Sequence, residues 1–94
     1  MSKIMKFTLK ESHWKRGIKS SASHCALALA LRDSGIPCIN IYGYICITRT
    51  ISITTPDDIF EIANMFDRGE EFPGEQELEF ELTNQQYKQM KKSL

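Results

Sequence analysis

The residues best suited to bind a ligand form one basic, hydroxyl-rich segment near the start of the chain. It runs directly into an Ala- and Leu-rich stretch that predicts a helix. Unpaired N–H groups and the positive end of the helix dipole favour an anion at a helix start. We therefore predict a site for a small phosphate-containing ligand. The candidate residues are His13, Trp14, Lys15, Arg16, Lys19, Ser20, Ser21, Ser23 and His24.

Aromatic residues near this segment could hold the base of a nucleotide-type ligand. Trp14 lies among the cations, and Tyr42 and Tyr44 follow in a later predicted strand region. Their rings offer flat apolar surface. The alternative is structural, with a capped helix start, lysines in water and aromatic rings in the core. Trp14 fits either interpretation, because Leu9 and Ile18 could pack around it.

Nucleophilic catalysis is not indicated. His24 and Cys25 are adjacent, and neighbouring side chains on a helix do not face each other. His13 could approach Cys25, but no orienting carboxylate or oxyanion loop accompanies them. A cysteine among Ala and Leu residues is normally inert. We therefore expect a protein that is not an enzyme and that uses no cofactor.

Metal binding and disulfide bonding are not indicated either. Cys25, Cys38 and Cys46 are odd in number and lack CxxC spacing, so we interpret them as small core residues. His13 and His24 have no HxxxH pattern and no clustered carboxylates around them, and no metal site is expected.

Length and composition indicate one small globular protein. The chain has 94 residues, 41% of them hydrophobic, which is enough for an ordinary core. No apolar run approaches the roughly 18 residues of a membrane span, and the start MSKIMKFTLK lacks the apolar region of a signal peptide. We expect a cytoplasmic protein with no membrane association.

The net charge of zero hides a strong asymmetry along the chain. Residues 1–32 are basic and residues 33–82 are acidic, and three glutamates alternate with apolar residues in 77–82. An antiparallel sheet could pair the two regions and neutralise both. The acidic excess would repel a duplex, so nucleic-acid binding is not expected.

The predicted elements follow the order β-α-α-β-β-α-β-(α). This order is typical of an α+β domain with a small, mainly antiparallel sheet and helices on one side. Residues 1–82 form this domain, and 83–94 form a helical or frayed tail. The elements are a strand at 4–9, a short helix at 11–16, a helix at 23–34, two or three strands within 38–53, a helix that begins at Pro56 and ends before Gly69, and a strand at 77–82.

Glycine and hydroxyl residues are predicted to mark the helix ends. Gly17 supplies a left-handed cap for the first helix, and Gly35 and Gly69 close the next two. Hydroxyl side chains accept hydrogen bonds from the first free N–H groups of a helix. The predicted N-caps are Ser23, Thr55 and Thr83.

The Ala- and Leu-rich helix predicts a homo-oligomer. On a helical projection Leu27 and Leu31 lie together, whereas Cys25 and Leu29 fall on nearly the opposite side. The sheet can cover one side, and the helix from Pro56 or the same helix of a second copy can cover the other. We expect association through residues 23–34, which would bring two basic segments together.

Three short motifs stand in a recognisable order: HCALALAL at 24–31, FDRG at 66–69 and LEFEL at 78–82. Their layout resembles that of small tailed-phage proteins of unknown function, over residues 4–82. The related chains tend to carry a proline where this one has His24-Cys25. The resemblance implies a phage or prophage source and offers no mechanism.

Two main functional hypotheses follow. The first is sequestration of a small anionic nucleotide-type ligand, such as a host immune signalling nucleotide, which would counteract host defence. The second is a protein–protein inhibitor whose acidic face, residues 70–81 with Asp57, Asp58 and Glu61, occupies a basic groove of a host enzyme. A structural or assembly role in a phage particle is a further alternative.

Overall fold

Five strands and four helices occur in a computed structural model that describes residues 2–93. The α+β order and the antiparallel pairing confirm the predicted fold class. No helix in this range is long and apolar enough to cross a membrane. The elements are β1 (Ser2–Leu9), α1 (Glu11–Arg16), α2 (Ala26–Asp33), β2 (Asn40–Ile41), β3 (Tyr44–Cys46), β4 (Ser52–Thr54), α3 (Asp57–Asp67), β5 (Gln76–Thr83) and α4 (Asn84–Ser93).

β1 and β5 form a long antiparallel ribbon because apolar residues alternate along both strands. Phe7 lies opposite Leu78 on the buried face, and Phe80 packs beside them. The outer face places Lys6 opposite Glu79. The predicted pairing of the basic strand with the acidic strand is thus confirmed.

The remaining strands form a separate sheet in the order β2-β3-β4. Ile41 pairs with Ile45, which pairs with Ile53, and these residues share one face. Gly43 lies between β2 and β3, where the tight turn is predicted. The strands of residues 2–93 therefore form two small sheets, and α2 contacts both through β1 and β2.

The core is centred on α2, which contacts α1, α3, β1 and β2. Leu29 is half-buried, and the exposed residues of α2 are Arg32 and Asp33 at its end. Both sides of the helix are therefore covered within one chain, and association through residues 23–34 stays a prediction. The buried residues of α2 are Ala26, Leu27, Ala28, Ala30 and Leu31.

Two of the predicted N-caps are wrong. The N-cap of α2 is Cys25, whereas the Ser23 hydroxyl lies 2.9 Å from Nδ1 of His24. The N-cap of α3 is Pro56. The buried Thr55 hydroxyl has no hydrogen-bond partner within the described chain. In both cases the helix begins further along the chain than predicted, so the hydroxyl residue lies before the N-cap position.

The cap predicted for the last helix is confirmed. The Gln86 backbone N–H donates to Thr83 Oγ1 at 3.1 Å, and the Thr83 N–H donates to the Gln86 side chain at 2.9 Å. This reciprocal pair is a capping box. Met90 is buried and Tyr87 is half-buried, so the predicted tail is a helix packed on the ribbon.

Glycines end two helices as predicted, since Gly35 and Gly69 have φ values of 83° and 76°. Gly17 is different, because its φ of −66° and ψ of 151° are extended, and the predicted left-handed cap is wrong. A side chain is excluded there by close packing. An added Cβ would lie 2.6 Å from the Ala26 nitrogen and 2.7 Å from Phe66 Cζ.

We predict that Gly17→Ala lowers the free energy of unfolding by about 1–3 kcal/mol, because the new methyl group overpacks the start of α2. Urea denaturation followed by circular dichroism measures this change. Gly43→Ala is the matched control, because an added Cβ there meets nothing within 4 Å. Equal stability of the two variants would contradict the packing role of Gly17.

Candidate functional site

The nine predicted ligand-binding residues do not meet in one site. These residues are predicted to surround the start of α2, which is buried against Gly17. Their side chains lie apart from one another around it. Their locations are an ion-pair cluster in which His13 is buried and Arg16 is exposed, a cavity beside α1 (Trp14, Lys15, Lys19), a cavity beside α3 (Ser20, Ser21) and a local hydrogen bond (Ser23, His24).

His13 and Arg16 join α1 to the end of α2. The Lys10 N–H donates to His13 Nδ1 at 3.0 Å, so Nε2 carries the proton and donates to Asp33 Oδ2 at 2.7 Å. Arg16 donates to the same oxygen at 3.1 Å. The His13 hydrogen bond, followed by that of Arg16, holds the pKa of Asp33 below its usual range. His13 and Arg16 therefore make contacts that hold α1 against the end of α2.

Trp14 packs against α3 and the loop that follows it. Its ring meets Phe66 nearly perpendicularly at 5.0 Å between centroids and Phe72 at 5.6 Å. Its Nε1 donates to the Glu70 carbonyl oxygen at 3.0 Å. Ile18, the proposed packing partner, is 58% exposed. Trp14 is therefore a half-buried packing residue that leaves part of its surface beside a cavity.

The cavity beside α1 has a volume of about 430 Å³ and combines aromatic surface with both signs of charge. Lys15 Nζ lies 2.9 Å from the Glu11 carboxylate. Lys19 forms no ion pair with a described residue. Acidic residues outnumber cations around the cavity, which disfavours an anion there. The charged lining residues are Lys15, Lys19, Glu11, Glu70 and Glu71.

The start of α2 is closed to an anion. Ala26 is fully buried, and Gly17 lies against its nitrogen. Cys25 is also buried, and burial raises the pKa of its thiol, while the backbone amides of Leu27 and Ala28 oppose the shift only in part. The first residues of α2 are therefore covered by the chain itself, which disfavours an anion at this helix start, and the phosphate site stays a prediction.

The sequence interpretation missed a cavity of about 320 Å³ beside α3, which we name the Asp67 cavity. Asp67 Oδ1 accepts a hydrogen bond from the Ser20 N–H at 3.1 Å. Ser20 has a φ of 60°, the one positive value at a non-glycine residue in the described range. The FDRG motif contains Asp67, but its partner is 47 residues away and could not be found from local pattern.

Acidic residues from α3 and β5 meet at the surface. Glu77, Glu79 and Glu81 alternate along the outer face of the ribbon and are exposed. Asp58, from the start of α3, lines a groove of about 340 Å³ with Glu77, Glu79 and Lys6. From here on we restrict the acidic face to Asp57, Asp58, Glu77, Glu79 and Glu81. Glu61 and Glu70, which the sequence prediction included, are left out because both pair with Arg68.

Comparison of the chain with protein-family models, with curated proteins and with solved structures gives no match. The resemblance to tailed-phage proteins stays a prediction. Within residues 2–93 no group of three or more His, Cys, Asp or Glu residues could hold a metal ion. The three cysteines are free.

We predict that Asp33→Asn removes an acid-sensitive part of the stability. Because the pKa of Asp33 is lowered on folding, its ionised form stabilises the fold above the ordinary value of about 3.9, and this contribution is lost as pH falls through the lower folded value. The cost at pH 7 is about 1 kcal/mol, since the carboxylate is half exposed.

Urea denaturation at pH 7 and at pH 3 checks this prediction. The unfolding free energies of Asp33→Asn and wild type should lie closer together at pH 3. Glu71→Gln is the control, and its unfolding free energy should follow that of wild type at both pH values. A constant difference between Asp33→Asn and wild type would show that the charge of Asp33 is not the cause.

Proposed function

We propose that the protein binds a basic surface of another protein through its acidic face and inhibits that partner by occupying it. The observation that carries this proposal is the convergence of α3 and β5. Asp58 joins Glu77 and Glu79 around one groove, and Lys6 is the one cation among its lining residues. A concentrated field of one sign steers and orients an oppositely charged partner.

The ribbon supports this proposal by presenting the carboxylates in a regular, rigid row. β1 and β5 are paired over eight residues, and the face opposite the glutamates is buried. The Cα atoms of residues two apart on a strand are about 7 Å apart. Because the backbone is already ordered, only the glutamate side chains lose conformational entropy on binding. Such a row suits a groove lined with Lys and Arg, and we place the partner among host defence enzymes.

Sequestration of a nucleotide-type ligand is the second candidate. The observation that favours it is the cavity that Trp14, Lys15 and Lys19 share. The Lys15–Glu11 ion pair is exposed, and such helix pairs contribute only about 0.3–0.5 kcal/mol, so Lys15 can turn to a phosphate. A homo-oligomer would add cations from a second copy. This candidate ranks second because glutamates outnumber lysines around the cavity.

The triple variant Glu77→Lys, Glu79→Lys and Glu81→Lys should lose the partner protein. All three side chains are exposed, so the fold should persist while the field changes sign. Wild-type and variant chains serve as parallel baits in host-cell lysate, and the captured proteins are identified by mass spectrometry. We expect at least a tenfold loss of the partner, and weaker wild-type capture at higher salt.

The matched control reverses two charges elsewhere, in Lys15→Glu with Lys19→Glu, and should keep the partner. Circular dichroism verifies that each bait is folded. Undiminished capture by the triple glutamate variant, or capture of no protein by wild type, would contradict the acidic-face proposal.

The second candidate predicts an adduct in native mass spectrometry of protein purified from cells with active nucleotide signalling. Lys15→Glu with Lys19→Glu should lose the adduct, whereas the triple glutamate variant should keep it. Arg16 is left unchanged, because a glutamate there would face Asp33 and disturb the fold. A wild-type protein without an adduct would contradict nucleotide sequestration, and the same spectrum reports the number of subunits.

A further inference from the structure

The Asp67 cavity lies outside both candidate sites. Its walls come from the loop before α2, from β2 and from the second half of α3. Its volume of about 320 Å³ lies at the lower end of the roughly 300–1,000 Å³ of small-molecule pockets. Such a space fits a single base or nucleoside. The apolar walls include Ala22, Cys25, Ile41, Tyr42 and Ala63.

Asp67 is the one charged residue that lines the cavity. The Ser20 N–H donates to its Oδ1 at 3.1 Å, and Ser20 has a left-handed backbone with φ of 60°. Few non-glycine residues adopt this conformation. The carboxylate is thus held in place at a half-buried position, and its remaining lone pairs can accept further hydrogen bonds.

The charge of the cavity favours a ligand that donates hydrogen bonds and disfavours an anionic ligand. No Lys, Arg or His lines it, so a phosphate would meet Asp67 without a compensating cation. Burial keeps the Cys25 thiol neutral by raising its pKa, and no second negative charge arises there. The complementary ligand carries N–H groups that point at a carboxylate and has apolar faces.

Tyr42 supplies an aromatic wall. Its side chain is 50% exposed, and its ring stands edge-on to Phe60 at 5.3 Å between centroids. Its hydroxyl donates to Asn64 Oδ1 at 3.4 Å. These contacts to α3 hold the ring at the cavity while half of it remains open. Bases in single strands and free nucleosides are held by such stacking together with hydrogen bonds to their Watson–Crick edges.

We propose that the Asp67 cavity binds a guanine base, which donates from its N1–H and exocyclic amino group to the Asp67 carboxylate and stacks on Tyr42. Guanine presents these two donors side by side. Adenine presents an acceptor at the ring nitrogen of that edge, which a carboxylate repels. Hypoxanthine keeps the ring N–H but lacks the amino group. The site therefore reads the base, and the sugar and phosphates lie toward solvent.

Isothermal titration calorimetry of the full chain with four probes tests this site. Guanosine should bind saturably, and inosine should bind about tenfold or more weakly, because one hydrogen bond to a charged group is lost. Adenosine should show no binding. Guanosine monophosphate should match guanosine within about twofold, because no cation lines the cavity.

Asp67→Asn should weaken guanosine binding at least tenfold. The new amide oxygen can still accept the Ser20 N–H, but its NH₂ group opposes the donors of guanine. Asp57→Asn is the matched control, with the same substitution on the same helix outside the cavity, and should bind as wild type. Tyr42→Leu should weaken binding by removing the stacking surface. Circular dichroism confirms that the variants fold.

Several results would overturn the proposal. They are absence of saturable guanosine binding to wild type, equal binding by Asp67→Asn, or equal binding of adenosine and guanosine. Tighter binding of the monophosphate that depends on Lys15 and Lys19 would place the ligand in the other cavity. The triple glutamate variant should bind guanosine normally, so this test and that of the acidic face fail independently.

Discussion

The close approach of Gly17 to the start of α2 is the constraint on which the rest of the structure depends. With no side chain, Gly17 lets α1, α2 and the Phe66 ring of α3 meet at one point. The Ala-rich helix can then be buried within a single chain. The same contact covers the N–H groups that an anion would need. The contact that completes the core packing therefore also buries the helix start at which the phosphate site is predicted.

Charge placement follows from this packing. Once α1 lies against the end of α2, His13 and Arg16 reach Asp33, and the basic segment becomes part of the scaffold. The glutamates of β5, in contrast, stay exposed to solvent. Their apolar neighbours are drawn into the core, and strand alternation leaves the carboxylates outside, with Lys6 as the one cation among the residues that line their groove. A chain of zero net charge therefore acquires a one-sided acidic surface.

Much of the fold could be predicted because its signals are local. Alternation defines β1 and β5, and the stripe of Ile59, Ile62, Ala63 and Phe66 with Gly69 beyond it defines α3. The errors have one physical cause. Helix starts and cavities were decided by contacts between distant segments, such as the Ser20 N–H with Asp67, and no spacing rule contains such contacts. Sequence pattern could identify the acidic row but not the groove that Asp58 completes.

The acidic face and the Asp67 cavity both carry negative charge, yet the binding proposed for each depends on a different kind of interaction. The face is exposed, so its attraction is a long-range field that salt screens within about 10 Å. The base proposed for the Asp67 cavity is neutral and would meet the carboxylate at contact distance, where the direction of the hydrogen bonds matters more than salt screening. The hydrogen bond from the Ser20 N–H orients the Asp67 carboxylate, while the paired ribbon sets the spacing of the glutamates along the face. An ordered backbone thus sets the direction of the hydrogen bonds in the Asp67 cavity and the distribution of charge on the acidic face.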